Sequence, residues 1–520
     1  MPIRMVDDPD DQYDNSNEPT PGGGGRGGGG GNILFQILPL LIRNPIMLVI
    51  ALVIGGFIFF KGGCSGGSSS QSSNGLTLGG ILDPKQFDKA PVYEGLDEAK
   101  NNLPEAVSLL KYAPQRQNQG SQGSCVAWSS AYGARSILQS VSTAQDPNQV
   151  AFSPSFLYNQ IGLDGCQGSY IIRAMEMMTK VGSVPYQEFP YDENDCSRQP
   201  GNNLMRDAAQ YKMLGFTRLT NGDNVNDIDL HAIKEHLSKD VPVVIGMMVG
   251  GSFMQPMMGQ DVWHPTSDDY TMMGFGGHAI CVIGYDDRKE GGAFQIMNSW
   301  GPEWGRNGVA WILYKDFKRF VREAYGLDPM PKVGAAATTT LDCSIGLVDN
   351  KTKQYIPLQL KNDHVFQSAK AIAKGTQFKM EVKNNTACYV YVLGMETDGS
   401  SYILFPYPMK SDPTKTKFSP YCGITGYRLF PRGMSMMADD IGNKDLMAVI
   451  VSKDSLDVFA LNQAVNANRS AGFAQSVNSA VKNESISGVR FVSTSSGNIS
   501  FTTNTSTNKA VACIVEINKQ

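Results

Sequence analysis

Cys125, His278 and Asn298 each stand at the end of an apolar run, and the runs have different periods. After Ser124, a good N-cap type, apolar residues recur at helical spacing (Val126, Ala127, Ala131, Ile137, Leu138), with no proline before about Ser140, so Cys125 opens a helix. His278 precedes a buried strand over residues 279–285, and Asn298 ends a second strand over 293–297. Cys125 thus comes from a helical half, and His278 and Asn298 from a strand-rich half. The expectation is an α+β unit: helices within 125–201, among them 153–161 and 170–181, then a join over 211–240. That join carries a helix at 227–237 and leads into a strand at 241–249, with further strands reaching residue 325.

The chemistry follows from the residue types. A thiol with a free pKa of about 8.5 is mostly protonated at neutral pH, so a nucleophilic cysteine needs a helix N-terminus or an imidazolium beside it. Cys125 has the first, and His278 is the candidate for the second, holding a proton in a resting ion pair and passing it to a leaving amine. The side-chain oxygen of Asn298 would orient the imidazole, with Trp300 covering that hydrogen bond.

Three segments carry a family resemblance: Gln119-Gly120-Ser121-Gln122-Gly123-Ser124-Cys125-Val126-Ala127-Trp128-Ser129, Gly276-Gly277-His278-Ala279-Ile280 and Gln295-Ile296-Met297-Asn298-Ser299-Trp300-Gly301. Their order, Gln, Cys, His, Asn, resembles the papain family of cysteine peptidases (family C1), its bacterial branch most, from about residue 103 to 325. The resemblance implies a two-lobed papain-like fold and an endopeptidase acting on protein or peptide, with no cofactor and no metal. It makes Gln119, with the Cys125 backbone N–H, the oxyanion donor. Asp164-Gly165-Cys166-Gln167-Gly168-Ser169-Tyr170 is similar to the family's glycine-rich strip, so Gly168 and Ser169, with Gly277 opposite, would line the substrate cleft. Gln122 stands where many relatives carry a cysteine, so Cys166 lacks that partner. A Cys166–Cys196 bridge and two free thiols both remain open, since sequence does not decide connectivity. Relatives also carry a helical inhibitory pro-segment, and nothing between residues 62 and 102 reads as one. A catalytically silent scaffold and a related acyl transferase (ligation or deconjugation) are the alternative functions.

Residues 1–32 read as a disordered, acidic and Gly-rich tail, and 62–100 as a Gly/Ser-rich linker. Between them, residues 33–61 read as a membrane anchor, with 33–38, set off by Pro39, at the interface. Residues 45–60 carry no charge but would span only about 24 Å, so the helix takes in 40–42 and Lys61, with Arg43 snorkelling. Arg26 and Arg43 precede it and Lys61 alone follows closely. This places the N-terminus in the cytoplasm and the enzyme, residues 101–332, outside a bacterial inner membrane, in the periplasm.

A short link at 333–340 leads to residues 341–520, where alternating runs and an Asp398-Gly399 turn predict an antiparallel β-sandwich with one helical stretch over 455–482, broken near Gly472. Its segments Tyr389-Val390-Tyr391-Val392-Leu393 and Leu404-Phe405-Pro406 resemble a bacterial domain of unknown function, DUF4384, and suggest a protein-partner surface. Seven methionines around Phe253 and Trp263, within residues 247–273, read equally as gap-fillers or as a mobile wall over the cleft. His264 reads as a surface residue. A net charge of −4 offers no electrostatic footprint for nucleic acid, which excludes that class.

Overall fold

The computed structural model describes residues 3–8, 76–333, 339–409, 412–505 and 509–520. The expected membrane anchor at 33–61 and most of the expected N-terminal tail lie outside the described residues. Among the described residues no helix is long and apolar enough to cross a membrane.

The helical lobe is built on local signals that hold in three dimensions. Pro154–Ile161 starts with Ser153, whose side chain accepts from the Phe156 amide, and with proline in its first turn. Ile171–Lys180 turns Ile171, Ile172, Ala174, Met175 and Met178 inward. The segment opened by Cys125 is less regular than its spacing predicts: one α turn, Cys125–Ala127, widens into π geometry over Trp128–Arg135 before α-helix resumes at Ser136–Thr143. Ser124 does not cap it. The Ser124 hydroxyl is 2.7 Å from that of Tyr191 instead. At Gly133 a β-carbon would stand 3.1 Å from Cys281 Cβ, so this glycine lets the helix press directly on the sheet.

That sheet has eight strands. Its long strand Gly276–Asp286 lies between Val243–Val249 and Ala293–Met297, both antiparallel to it, and His278 sits near its start. The two lobes share one apolar core, which includes Cys125, Ala131, Ile137, Ala279, Cys281 and Ile296.

Residues 340–520 supply six strands of one sheet and all seven of another, around a second core of Leu341, Cys343, Ile345, Leu347, Val390, Val392, Val449 and Val451. The alternate residues Tyr391, Leu393, Ala448 and Ile450 face the helices Val458–Ala467 and Phe473–Ala480. Burial on both faces makes these strands continuously apolar where alternation was expected. One pairing is parallel, Val365–Ser368 against Ala510–Asn518, so the sandwich is not wholly antiparallel. The first sheet takes its seventh strand from the tail expected to be disordered, because Ile3–Asp7 pairs antiparallel with Met434–Ala438.

Residues 76–100, expected as part of a Gly/Ser-rich linker, have defined backbone partners. Residues 91–101 run between the peptidase lobes and the sandwich. Tyr93 N donates to Arg218 O, Val92 N to Lys417 O and Asp97 N to Tyr427 O. Glu235 accepts from the Tyr93 hydroxyl at 2.9 Å and from Leu96 N at 3.1 Å, and Glu94 accepts from Arg432 N at 2.6 Å. Arg432 pairs with Asp229 at 2.6 Å, and Lys100 pairs with Glu381.

Candidate active site

The sheet and the bulged helix bring the separated polar residues into one buried cluster. Cys125 Sγ lies 3.5 Å from the backbone nitrogen of Ala279, the residue after His278. The His278 ring bonds through Nε2 to Asn298 Oδ1 at 2.8 Å, which leaves Nδ1, a buried nitrogen with no other partner, as the nitrogen available to the sulfur. Asn298 Oδ1 is itself held by the Ser299 amide at 2.8 Å. Trp300 stacks on the imidazole, 4.4 Å between ring centres and 22° between planes. Behind it, Phe253 packs against Trp300, Trp263 and Trp304. The methionine-rich stretch is thus in large part a backing to this aromatic shelf, with Met247 and Met257 buried and Met273 exposed. His264 is on the surface beside Glu290.

Gln119 is fixed at both ends of its amide. Oε1 accepts from Ser299 Oγ at 2.6 Å, and Nε2 donates to Gln122 O at 2.9 Å and to Thr77 O at 3.0 Å. Thr77 belongs to a strap, residues 76–82, that passes through the whole cleft. Ser169 N donates to Gly79 O at 2.9 Å, Ile81 N to Ser169 O at 3.0 Å, and Gly80 N to Gly277 O at 3.0 Å. Trp300 Nε1 also donates to Thr77 O, at 3.1 Å. Every residue of the sequence-derived set, Cys125, His278, Asn298, Gln119, Gly168, Ser169, Gly277 and Trp300, lies in or beside this one groove.

The fit is tight enough to require glycine on both sides. A β-carbon on Gly79 would stand 2.1 Å from Gly123 O, and one on Gly168, where φ is +110°, would stand 2.3 Å from Gly79 O. One on Gly277 would stand 2.1 Å from Gly80 O. Leu82 fills the space left by Gly246, against Ile171, and Glu323 accepts from the following amide, Asp83 N, at 3.0 Å.

Occupation of the cleft sets the electrostatics. Burial pushes the Cys125 thiol up to about 12, outweighing the Ala279, Val126 and Gly79 amides that favour thiolate. Burial likewise pushes His278 down to about 4 against the opposing hydrogen bond to Asn298. The resting thiolate–imidazolium pair expected from sequence is therefore not the state with the strap in place. Desolvation favours the neutral thiol and imidazole.

The strap is what sequence reasoning missed. Leu76-Thr77-Leu78-Gly79-Gly80-Ile81-Leu82 lies along the groove in an extended form. Its signal was an apolar run just before Asp83-Pro84, an N-cap and first-turn pair, hidden because its two glycines continue the preceding Gly/Ser composition. Cys166 and Cys196 form a disulfide, which orders the loop carrying Gly168 and Ser169. Among the described residues no cluster of His, Cys, Asp and Glu could hold a metal ion.

A buried cysteine at a helix start, a histidine oriented by an amide and a fixed glutamine donor describe a cysteine-type peptidase. Residues 104–325 match the papain family cysteine protease, and the chain carries a peptidase domain of that family. Residues 371–420 match DUF4384. Among curated proteins, the chain is similar to an uncharacterized peptidase C1-like protein of Acanthamoeba polyphaga mimivirus, 27% identical over 44% of this chain and 71% of the other. It is similar to cathepsin B-like CP2 of Giardia intestinalis, 27% identical over 44% and 77%, and to human cathepsin L2, 26% identical over 45% and 67%. Among solved structures, xylellain, a cysteine protease from Xylella fastidiosa, aligns at 23% identity over 52% of this chain and 100% of its own, with a TM-score of 0.40.

Proposed function

We propose that this chain is a membrane-attached cysteine endopeptidase with Cys125 as nucleophile, kept idle by its own strap. The observation that carries the reading is that an extended peptide already lies in the groove, with the Thr77 carbonyl on Gln119 Nε2 and backbone bonds to Ser169 and Gly277. The strap enters beside Gln119 and Trp300 and leaves along Ser169, pairing with Ser169 in the parallel sense. A substrate whose N-terminal side lies on the glycine strip would run the other way. The strap therefore fills the groove without offering a bond in the productive direction.

With the strap displaced, water re-enters and the desolvation that held both groups neutral is lost. Cys125 Sγ gives its proton to His278 Nδ1 and attacks the scissile carbonyl carbon. The oxyanion takes hydrogen bonds from Gln119 Nε2 and the Cys125 N–H. Collapse breaks the C–N bond, His278 returns the proton to the amine, and water, with His278 as base, then cleaves the thioester. Asn298 holds the ring so that Nδ1 keeps facing the sulfur.

Residues 33–61 attach the enzyme to an inner membrane, with the catalytic domain on the outer face. The Cys166–Cys196 disulfide supports an oxidising compartment. The sandwich is assigned to partner or substrate binding. Hydrolysis of a fluorogenic peptide tests the activity: a strap-displaced chain should cleave it and the same chain with Cys125→Ala should not. Equal turnover with and without Cys125 would refute the assignment.

A further inference from the structure

The sandwich sheet is completed by the five residues Ile3–Asp7, far ahead of the peptidase domain in the chain. Ile3 pairs with Ala438, Arg4 with Met437, Met5 with Met436, Val6 with Ser435 and Asp7 with Met434. This is more than an edge contact between backbones. The Ile3 side chain is 1% exposed and belongs to the sandwich core, with Met5 packed against the same cluster. Tyr402 clamps Ile3 from the side: its hydroxyl accepts from Ile3 N at 3.1 Å and lies 3.2 Å from Ile3 O. At the far end the Asp8 carboxylate receives Asn350 Nδ2 at 2.9 Å, Ser435 Oγ at 2.5 Å and Lys379 Nζ at 2.5 Å.

A slot with a buried apolar anchor at one end, a three-donor carboxylate site at the other and a ladder of main-chain bonds between them is a built peptide-binding site. The main chain supplies affinity, and the anchors set register, because a slip of one residue would turn Ile3 out of the core. From this we propose that the C-terminal domain is a strand-acceptor module whose slot is filled by the chain's own N-terminus, residues 3–8. Strand capture gives this domain a function of its own, independent of whether Cys125 is active.

The proposal also revises topology. The two ends of the segment that contains residues 33–61 are held on one body, the first by the sandwich and the second by the cleft. A single crossing by residues 33–61 would put those ends in different compartments. The N-terminus then shares the face of the membrane on which the sandwich lies, and is not cytoplasmic as the Arg26 and Arg43 count suggests.

A cross-link across the ladder tests both statements in the full chain in its own membrane. Arg4 and Met437 are directly opposed, so Arg4→Cys with Met437→Cys should form a disulfide under mild oxidation, detected as a linked peptide in a chain of monomer mobility. Arg4→Cys with Lys361→Cys, on the other sheet, should not link. Adding Ile3→Asp to the first pair, which forces a charge into the core, should reduce linking at least tenfold. Asp8→Asn tests the carboxylate site by a milder change and should lower it severalfold. No link between positions 4 and 437, a link found only between two copies, or linking unaffected by Ile3→Asp would each overturn the proposal.

Discussion

The carbonyl oxygen of Thr77 accepts from Gln119 Nε2 at 3.0 Å, so the side chain that would steady a substrate's developing charge is already engaged by the chain itself. Forty-two residues separate the two, and the bond joins an apparent spacer to the catalytic lobe. Most of the expected behaviour of this protein follows from that engagement.

Gln119 has a second duty that separates binding from catalysis. In a strap-displaced chain Gln119→Ala should lower kcat by about 10²–10³-fold with KM changed little, because an oxyanion donor acts in the transition state. Steady-state kinetics on a short peptide decides this. An effect confined to KM would make Gln119 a ground-state contact only.

The joint between peptidase and sandwich is built on buried carboxyls and should weaken as pH rises. Burial raises Glu94 to about 8 and Glu235 to about 7, both above the unfolded value of about 4.3. A folded-state pKa raised in this way lends stability that is full below pH about 4.3 and is lost as pH climbs through 7 to 8. The melting temperature should therefore fall between pH 5 and 8.5, and Glu235→Gln should flatten that fall. A melting curve independent of pH in this window, or one equally steep in the variant, would count against the joint as described.

Several elements were legible because a local residue type decides them. Ser153 before Pro154 fixes a helix start, Asn298 ends a five-residue buried strand, and Asp398-Gly399 turns a hairpin between Cys388–Met395 and Ser401–Phe405. The order of Gln119, Cys125, His278 and Asn298 was enough to expect one shared groove. Other features depend on contacts between distant segments. Gly79 and Gly80 read as spacer because nothing local says that Gly123, Gly168 and Gly277 leave a slot of their width. Ser124 has the right side chain for a cap but finds Tyr191 first. Ile3–Asp7 is too short to stand out as a strand until Met434–Ala438 lies beside it. Gly133, inside the π stretch after Cys125, likewise meets Cys281 of a distant strand.

The aromatic shelf under the imidazole should be a stability element as much as a site element. Phe253 is fully buried against three tryptophans, and Phe253→Ala should cost about 3–5 kcal/mol through lost burial and the cavity left behind. Denaturant unfolding measures it. A loss under about 1 kcal/mol would mean that the methionines collapse into the space.

The Cys166–Cys196 bridge closes a loop with a sequence separation of 30. Its removal by Cys196→Ser should lower stability by about 3–4 kcal/mol on the chain-entropy account. It should also speed proteolysis of the loop bearing Gly168 and Ser169. Unchanged unfolding under reducing and oxidising conditions would show that the bridge does not form.

The central claim is that Cys125 is a competent nucleophile held idle by residues 76–82. Its most direct test is the rate at which a peptidyl epoxide labels Cys125 in the full chain, compared with Gly79→Val, whose side chain cannot share the groove with Gly123 O. The account predicts slow labelling of the unaltered chain, labelling at least tenfold faster in Gly79→Val with the adduct mapped to Cys125, and none once His278→Ala is added. Equal rates with and without the strap substitution, or an adduct on another cysteine, would contradict it.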